Sequence, residues 1–236
     1  MKFKLVFGRM VGALCVIALL SPSIVAAATP DSAEMPIPSP AGHLSDAVDF
    51  AVNAQMSAVN ILVYRAGALA LFGHNHVLTV GGLSGQVRVR SSLEQSDFDL
   101  SFPVSQLMVD DRAARTAAGR DFSPDVPHSA REGTRRNMLR PEVLDAEHYS
   151  QITLRSVQAS GTLEAAQFLV NIQIKDVTRD IPVFAAITID DKNLTARGQF
   201  EFLQSDFGIK PFSAALGTLK VRDRVMVNFV ISAQAR

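Results

Sequence analysis

His74 and His76 are the residues whose type and spacing come closest to a chemical site. Side chains at positions i and i+2 of a strand face the same side, so both imidazoles would project together. Many metal sites begin with two such imidazoles, and His128, His148 or an aspartate would be the third ligand. Apolar neighbours on both sides favour a second interpretation, two hydrogen-bonded histidines near the mouth of a barrel. The sequence leaves metal binding by this pair open as the alternative.

The sequence lacks the motifs of the common enzyme classes. It has no G-x-S-x-G elbow, no phosphate-binding glycine loop and no H-E-x-x-H. Asp110–Asp111 and Asp190–Asp191 are adjacent carboxylates, but neighbouring side chains of an extended chain point apart. We interpret these aspartates as solvated turn residues. The sequence therefore predicts a protein that is not an enzyme and that needs no cofactor.

The charge balance argues against a nucleic acid as partner. Lysine plus arginine and aspartate plus glutamate each number 23, so no overall field attracts a polyanion. Arginines are dense between residues 112 and 140, where an anionic partner is one interpretation. Asp121, Asp125, Glu132 and Glu142 are interspersed among them, and we favour a charged, exposed helix face.

The first 28 residues have the order of segments that is typical of a secretory signal peptide. The start is basic, an uncharged apolar run covers residues 10–20, and a stretch of small residues ends at Ala28. We predict cleavage near Ala28. The only cysteine, Cys15, lies within the predicted signal, so the exported chain would fold without disulfides.

The remaining chain divides into a leader and one folded domain. Residues 29–48 are rich in proline and small residues and show no periodicity, which predicts a flexible leader. Residues 49–236 carry periodic patterns throughout and form the predicted domain. Its length is sufficient to bury a core of its own.

Residues 163–204 carry the clearest secondary-structure signal, three runs in which apolar and polar residues alternate. Only a strand sorts residues with a period of two. Turn-like sequences at 176–180 and 190–193 separate the runs, which predicts an antiparallel meander with one dry face. That face carries Phe168, Val170, Ile172, Ile174, Ile181, Val183, Ala185, Ile187, Ile189, Leu194, Ala196, Gly198, Phe200 and Phe202.

Further strands and one helix complete the prediction. Similar alternation marks strands near residues 54–64, 87–90, 98–104, 152–154 and 225–231, whereas residues 66–80 stay ambiguous in their first half. Ser129, with Glu132 three residues on, predicts the start of a crossover or lid helix that runs to about Leu139. About eight antiparallel strands with one dry face each close into a barrel or pack as two sheets.

Four segments in a fixed order resemble the YceI-like family of exported lipid-binding proteins. They are VGGLSG at 80–85, LDAEHYSQITL at 144–154, DVTRDIPV at 176–183 and SDFGI at 205–209. The resemblance covers about residues 49–235, and it departs from the family pattern at Ser150 and Asp176, where proline and glycine are frequent. It implies a mainly β fold, an extended, lipocalin-like, eight-stranded antiparallel barrel. It also implies an apolar lumen that holds a long isoprenoid or related lipid, and a periplasmic location.

From the resemblance and the apolar faces we predict a non-catalytic periplasmic carrier of a long-chain apolar lipid, isoprenoid or quinone-like. Transient contact with a membrane and a homodimer stay open as further partnerships. The small residues Ala185, Ala196 and Gly198 on the dry face indicate free space inside. The predicted lumen-lining residues are Leu62, His74, His76, Phe102, Phe168, Ile172, Val183, Ala185, Ala196, Phe200 and Phe229.

Overall fold

The structure, a computed structural model, describes residues 47–190 and 192–236, apart from the side chain of Ala215. The predicted signal peptide and nearly all of the predicted leader lie outside these residues. Within them, no helix combines the length and the hydropathy needed to cross a membrane.

The described chain is mainly β, with two α-helices between the seventh and eighth strands. The elements are β1 Val48–Val52, β2 Ala58–Val63, β3 Arg65–Ala66, β4 His76–Thr79, β5 Ser84–Val89, β6 Asp97–Pro103, β7 Met108–Val109, α1 Arg112–Ala118, α2 His128–Met138, β8 Gln151–Thr162, β9 Ala165–Ile174, β10 Val177–Asp190, β11 Asn193–Leu203, β12 Ser213–Ala214, β13 Leu219–Val221 and β14 Arg224–Ala235.

Eight of these strands form a closed antiparallel barrel. Their order is β1-β5-β6-β8-β9-β10-β11-β14, and pairing of β1 with β14 closes the ring. Closure hides every dry face in one interior and leaves no open edge between these strands. The predicted eight-stranded barrel is confirmed, and the two-sheet alternative is excluded.

Strand β14 pairs along one edge with two shorter strands, β2 and β1, which lie one after the other. Its first half pairs with β2 through Met226–Val230, and its last residues, Ala233 to Ala235, pair with β1. Strands β4 and β7 continue the sheet beyond β2. The sequence prediction missed β1, because its five residues precede the alternating run that was taken as the first strand.

The predicted meander corresponds to β9, β10 and β11. Val183 pairs with Phe168, and Ile187 pairs with Ala196, so the apolar residues of all three strands face the interior. The turn between β9 and β10 is shorter than predicted. The turn consists of Lys175 and Asp176. Lys175 has φ 57°, and a positive φ in a two-residue hairpin turn matches the twist of the flanking strands. Residues 177–180 therefore belong to β10.

The helical region contains two helices where the sequence predicted one. Asp111 caps the additional helix α1 by accepting a hydrogen bond of 3.0 Å from the Ala114 amide. Helix α2 begins at His128 after Pro127, and no side chain caps it. The predicted Ser129 cap is wrong, because the N-cap is Pro127, two residues earlier, whose ring fixes φ at −56°.

The two ends of the barrel differ. At the helix end, Met138, Leu144, Phe207 and Ile209 are buried together over the strands. At the hairpin end, the barrel finishes in the short β8–β9 and β10–β11 turns and in the loop at 90–96. The helix end is therefore capped by a packed apolar layer, whereas the hairpin end is covered by turns alone.

Candidate functional site

The barrel encloses an apolar cavity of about 160 Å³. Inward side chains of β2, β5, β6, β8, β9, β10, β11 and β14 form its wall. Within the described chain, Ser96 and Asp97 are the only polar residues of that wall, and both lie beside the hairpin end. A wall of this kind binds by removing apolar surface from water, since it offers a ligand almost no hydrogen bonds.

The cavity is long and narrow. Lining residues on β10 begin at Ile189, and the register of β9 against β10 continues the row to Ile174 at the other end. That row covers about twelve residues, or ~40 Å along the strands, and a strand tilt of about 40° shortens it to ~30 Å along the barrel axis. A small volume spread over this length describes a channel that suits a chain better than a compact ring system.

Most of the predicted lumen residues lie on the wall of this cavity. The structure brings together Phe102, Phe168, Ile172, Val183, Ala185, Ala196, Phe200 and Phe229. Their contact with a ligand stays a prediction. The meander supplies six of the eight, as expected from the regular alternation of β9, β10 and β11.

Leu62 does not line the cavity, and its prediction is wrong. Val59 and Ile61 of the same strand face the lumen, so Leu62 faces outward, where it packs with Val77 and Phe122. Both faces of β2 are apolar because the helical region covers its outer face. With both faces apolar, the sequence did not show which residues point inward.

Phenylalanine rings occupy much of the channel. Phe200 stacks on Phe202 at 6.4 Å between centroids and lies 6.3 Å from Phe229. The space predicted at Gly198 is taken by Phe229, since a Cβ added at Gly198 would come within 2.7 Å of that ring. Ala185 and Ala196 do border the cavity, so the free volume lies next to the alanines and not at the glycine.

A group of salt bridges links β5 and β6 near the hairpin end. Arg88 of β5 pairs with Asp97, and its Nη1 lies 2.7 Å from Asp99 Oδ2. Hydrogen bonds to these two carboxylates raise the pKa of Arg88. Because Val87, Val89 and Phe98 of the same strands line the cavity, this ion pair lies on the outer face of the barrel. Ser96 and Asp97 are the polar residues of the wall at this end.

His74 and His76 lie outside the cavity, so their prediction as lumen residues is also wrong. His76 is placed by a buried carboxylate. Its Nδ1 donates to Asp110 Oδ2 at 2.6 Å, because an ionised carboxylate only accepts. Its Nε2 lies 3.3 Å from the Thr134 hydroxyl oxygen of α2, within hydrogen-bond distance. The ring links strand β4 to the helical region.

Asp110 is the centre of this network and not a solvated turn residue as predicted. It is 2% exposed, and its Oδ1 accepts from the Val77 amide at 2.9 Å and from the Arg115 guanidinium. Arg115 is equally buried, and it also donates to the carbonyl oxygens of Asn75 and Ser123. Burial alone raises the pKa of Asp110, but the hydrogen bonds from His76, Val77 and Arg115 outweigh it and hold that pKa below its usual value.

The histidine pair has no third metal ligand in the part of the chain that the structure describes. No three His, Cys, Asp or Glu side chains come together there as a metal site would require. His148 pairs with Asp145 and His128 pairs with Glu132, so neither residue adds a ligand to His74 and His76. Burial lowers the pKa of His74, as do the nearby His76 and Arg115 charges. The arrangement is that of a structural polar network.

The arginines of α2 also have a structural use. Arg135 donates to the carbonyl oxygens of Leu107 at 2.6 Å and Ser105 at 2.8 Å, which fixes the helix to the barrel. Arg136 and Arg140 are exposed, as expected for a charged helix face.

A comparison with models of protein families identifies the family of this chain. The model of the YceI-like domain matches residues 50–233. The chain belongs to the YceI-like family. The match begins in β1 and ends in β14, so it spans the whole closed barrel.

Two solved structures are similar to this chain in their fold alone. BcnA of Burkholderia cenocepacia is 14% identical, with a TM-score of 0.58 over 78% of this chain and 99% of that one. The YCEI protein of Campylobacter jejuni is 13% identical, with a TM-score of 0.49 over 66% of this chain and 83% of that one. No curated protein matches the sequence. The fold is thus that of the family, and the YceI-like barrel is consistent with a carrier of apolar lipids.

Proposed function

We propose that this protein is a non-catalytic carrier that holds the chain of an isoprenoid or related lipid inside the barrel. The observation that supports this most strongly is the cavity itself, a channel of ~30 Å whose wall is apolar except at Ser96 and Asp97. A wall without reactive or charged groups along its length suits binding by burial and offers no chemistry to the ligand.

Burial supplies enough free energy for such a function. Each methylene moved from water into an apolar wall contributes about 0.8 kcal/mol. A chain of ten to fifteen carbons would therefore gain on the order of 10 kcal/mol, before the costs of ordering the chain and of association. Affinity should rise with chain length until the channel is full.

The ligand must rearrange the wall as it enters. The cavity of about 160 Å³ is smaller than the roughly 300–1,000 Å³ of a typical ligand pocket. Phe200 and Phe229 are only partly buried and border the free volume, so their rings have room to move aside. The barrel widens around a chain by changes of side-chain rotamer, with the strands in place.

The orientation of the ligand follows from the polarity of the two ends. The helix end is closed by Phe207 and Ile209, which offer no partner to a polar group. Ser96 and Asp97, the polar residues of the wall, lie beside the hairpin end. We place the polar end of the lipid there and its chain toward the helices.

The proposed location is the periplasm. The basic start, apolar run and small-residue stretch of residues 1–28 support export. A carrier of long apolar chains has a use in an aqueous compartment between two membranes, since such chains do not cross water unaided.

Chain-length dependence tests the proposal. We expect a fluorescent isoprenoid probe to bind detergent-free protein and to be displaced by unlabelled isoprenoid alcohols with an affinity that rises about fourfold per added methylene at first. The rise should stop once the chain exceeds the ~30 Å channel. Competition measured by probe fluorescence gives both the rise in affinity per methylene and the chain length at which the rise stops.

Two results would count against the carrier. One is displacement that does not depend on chain length, which would indicate a surface site. The other is probe binding that is lost in Ser96→Ala but does not depend on chain length. That result would show that polar contacts, and not burial in the lumen, supply the affinity.

A further inference from the structure

We propose that two loops beside the helix end form a docking surface for a membrane that contains anionic lipids. Its apolar tip consists of Leu69, Leu71, Phe72 and Leu216. Leu71 is 84% and Phe72 79% exposed, and Leu216 is fully exposed. Large apolar side chains grouped on a surface mark a contact with a partner or a membrane, whereas single ones do not.

A small separate sheet brings the two loops together. Strands β3, β12 and β13 form it, with Lys220 opposite Ala66. The Leu69 amide donates to the Thr218 carbonyl oxygen at 2.8 Å. Gly67, at φ +93°, passes so close to Thr218 that a Cβ would come within 2.9 Å of the Thr218 carbonyl carbon. The tip is therefore one surface built from two parts of the chain.

The charged residues of the two segments that build the tip are all basic. Residues 64–75 and 208–222, which build it, include Arg65, Lys210, Lys220 and Arg222 and contain neither aspartate nor glutamate. The whole chain has equal numbers of acidic and basic residues, so this is a local excess. The next residue, Asp223, bonds the amide of Ser205 at 2.8 Å.

Two of these cations are held at the base of the tip. Arg65 donates from Nη1 to the Gly73 carbonyl oxygen at 2.5 Å, and the Arg222 guanidinium lies 5.5 Å from the centre of the Tyr64 ring. Lys210 and Lys220 are exposed. Exposed leucine and phenylalanine beside cations of the same two segments fit an anionic membrane surface, where apolar groups insert and cations meet headgroups.

Charge also argues against a second copy of this chain as the occupant. A twofold interface built on the tip would bring each patch against itself, so the cations of both copies would face one another. Like charges at close range oppose that contact, whereas phosphate headgroups neutralise them.

The tip adjoins the helix end of the barrel. Strand β3 follows the end of β2, and β13 precedes the start of β14, where β2 and β14 pair. Docking would therefore hold the layer of Phe207 and Ile209, which closes that end, against the membrane. The docking surface does not depend on the proposed carrier function.

Co-sedimentation with phosphatidylcholine vesicles, with and without phosphatidylglycerol, tests the surface. We expect the purified protein to bind the anionic vesicles and to be released by salt. Leu71→Ser combined with Phe72→Ser should lower binding about tenfold or more, and Lys220→Glu should lower it by about fivefold or more on anionic vesicles alone. Phe184→Ser is the matched control, since Phe184 is exposed on the outer face of β10, and it should bind as the wild type does.

Three results would overturn the proposal. They are no binding of the wild type to anionic vesicles, an equal loss in Phe184→Ser, and a dimer in light scattering that the Leu71→Ser, Phe72→Ser variant dissociates. Uptake of the fluorescent isoprenoid probe from solution separates the two proposals. Probe uptake without vesicle binding would refute the docking proposal and leave the carrier proposal standing. Vesicle binding without probe uptake would refute the carrier proposal and leave the docking proposal standing.

Discussion

Replacing Ala196 with phenylalanine is expected to lower the affinity for an isoprenoid probe by at least about tenfold, or ~1.4 kcal/mol, while the protein stays folded. Ala196 borders the free volume of the channel, opposite Ile187 and Ile231 on the neighbouring strands. A larger ring there occupies the path of the ligand chain. Because the space is free, we expect the free energy of unfolding to change by less than about 1.5 kcal/mol, against roughly 1–3 kcal/mol lost in a filled core.

Ala186→Phe is the control for this substitution. Ala186 lies one position along β10 from Ile187, is exposed on the outer face and pairs with Arg197. It adds the same ring to the same pair of strands without entering the lumen, so probe affinity should not change. If Ala196→Phe binds the probe normally but has a collapsed thermal midpoint, the residue faces a solid core and the lumen is not the binding site.

Removing the Asp110 carboxylate is expected to cost the most stability of any single change considered. Asp110→Ala leaves the buried Arg115 charge without its ion-pair partner, and such a loss typically costs about 3–5 kcal/mol. Chemical denaturation of both proteins measures the difference. The exposed pair of Arg112 and Asp125 is the control, since Asp125→Ala should change stability by no more than about 1 kcal/mol.

Acid titration checks the same residue independently. The folded-state pKa of Asp110 lies below its unfolded value of 3.8, so its stabilising contribution is present above that pH and is lost as the pH falls through the lower value. Asp110→Asn tolerates the positive φ of 56° but has no charge to titrate, so it should lack this component of acid unfolding. A variant that unfolds in acid exactly as the wild type does would place the titrating group elsewhere.

Regular alternation made the central part of the fold predictable. Phe168, Ile172, Val183, Ala196 and Phe200 were assigned to one face from a period of two, and the structure places all of them on one cavity wall. Each run was flanked by polar turn residues, so only one register buried the apolar set. The sequence resemblance added the closed barrel, which the periodicity by itself did not distinguish from two sheets.

The errors lie where tertiary contacts override local patterns. Asp110 looked like a turn residue because its partners, His76 and Arg115, come from a separate strand and a helix. Leu62 lies on a strand that is covered on both faces, so the sequence pattern did not show which of its residues face the lumen. Gly198 indicated space, but the ring of Phe229 on the adjacent strand fills it. Each outcome depended on a neighbour distant in sequence.

The same limit applies to the docking surface. The sequence leaves residues 66–80 ambiguous in their first half. Only the sheet that joins Leu69, Leu71 and Phe72 to the loop of Leu216 shows that they form one exposed patch. Apolar residues in a loop look like core residues until their exposure is known.

Native mass spectrometry of the protein, purified from its producing cells without detergent, tests the central claim most directly. We expect a population whose mass exceeds that of the chain by one long-chain lipid. Collisional activation should release this lipid, and Ala196→Phe should lack it. A barrel that is consistently empty, and that also takes up no isoprenoid when one is supplied, would contradict the claim.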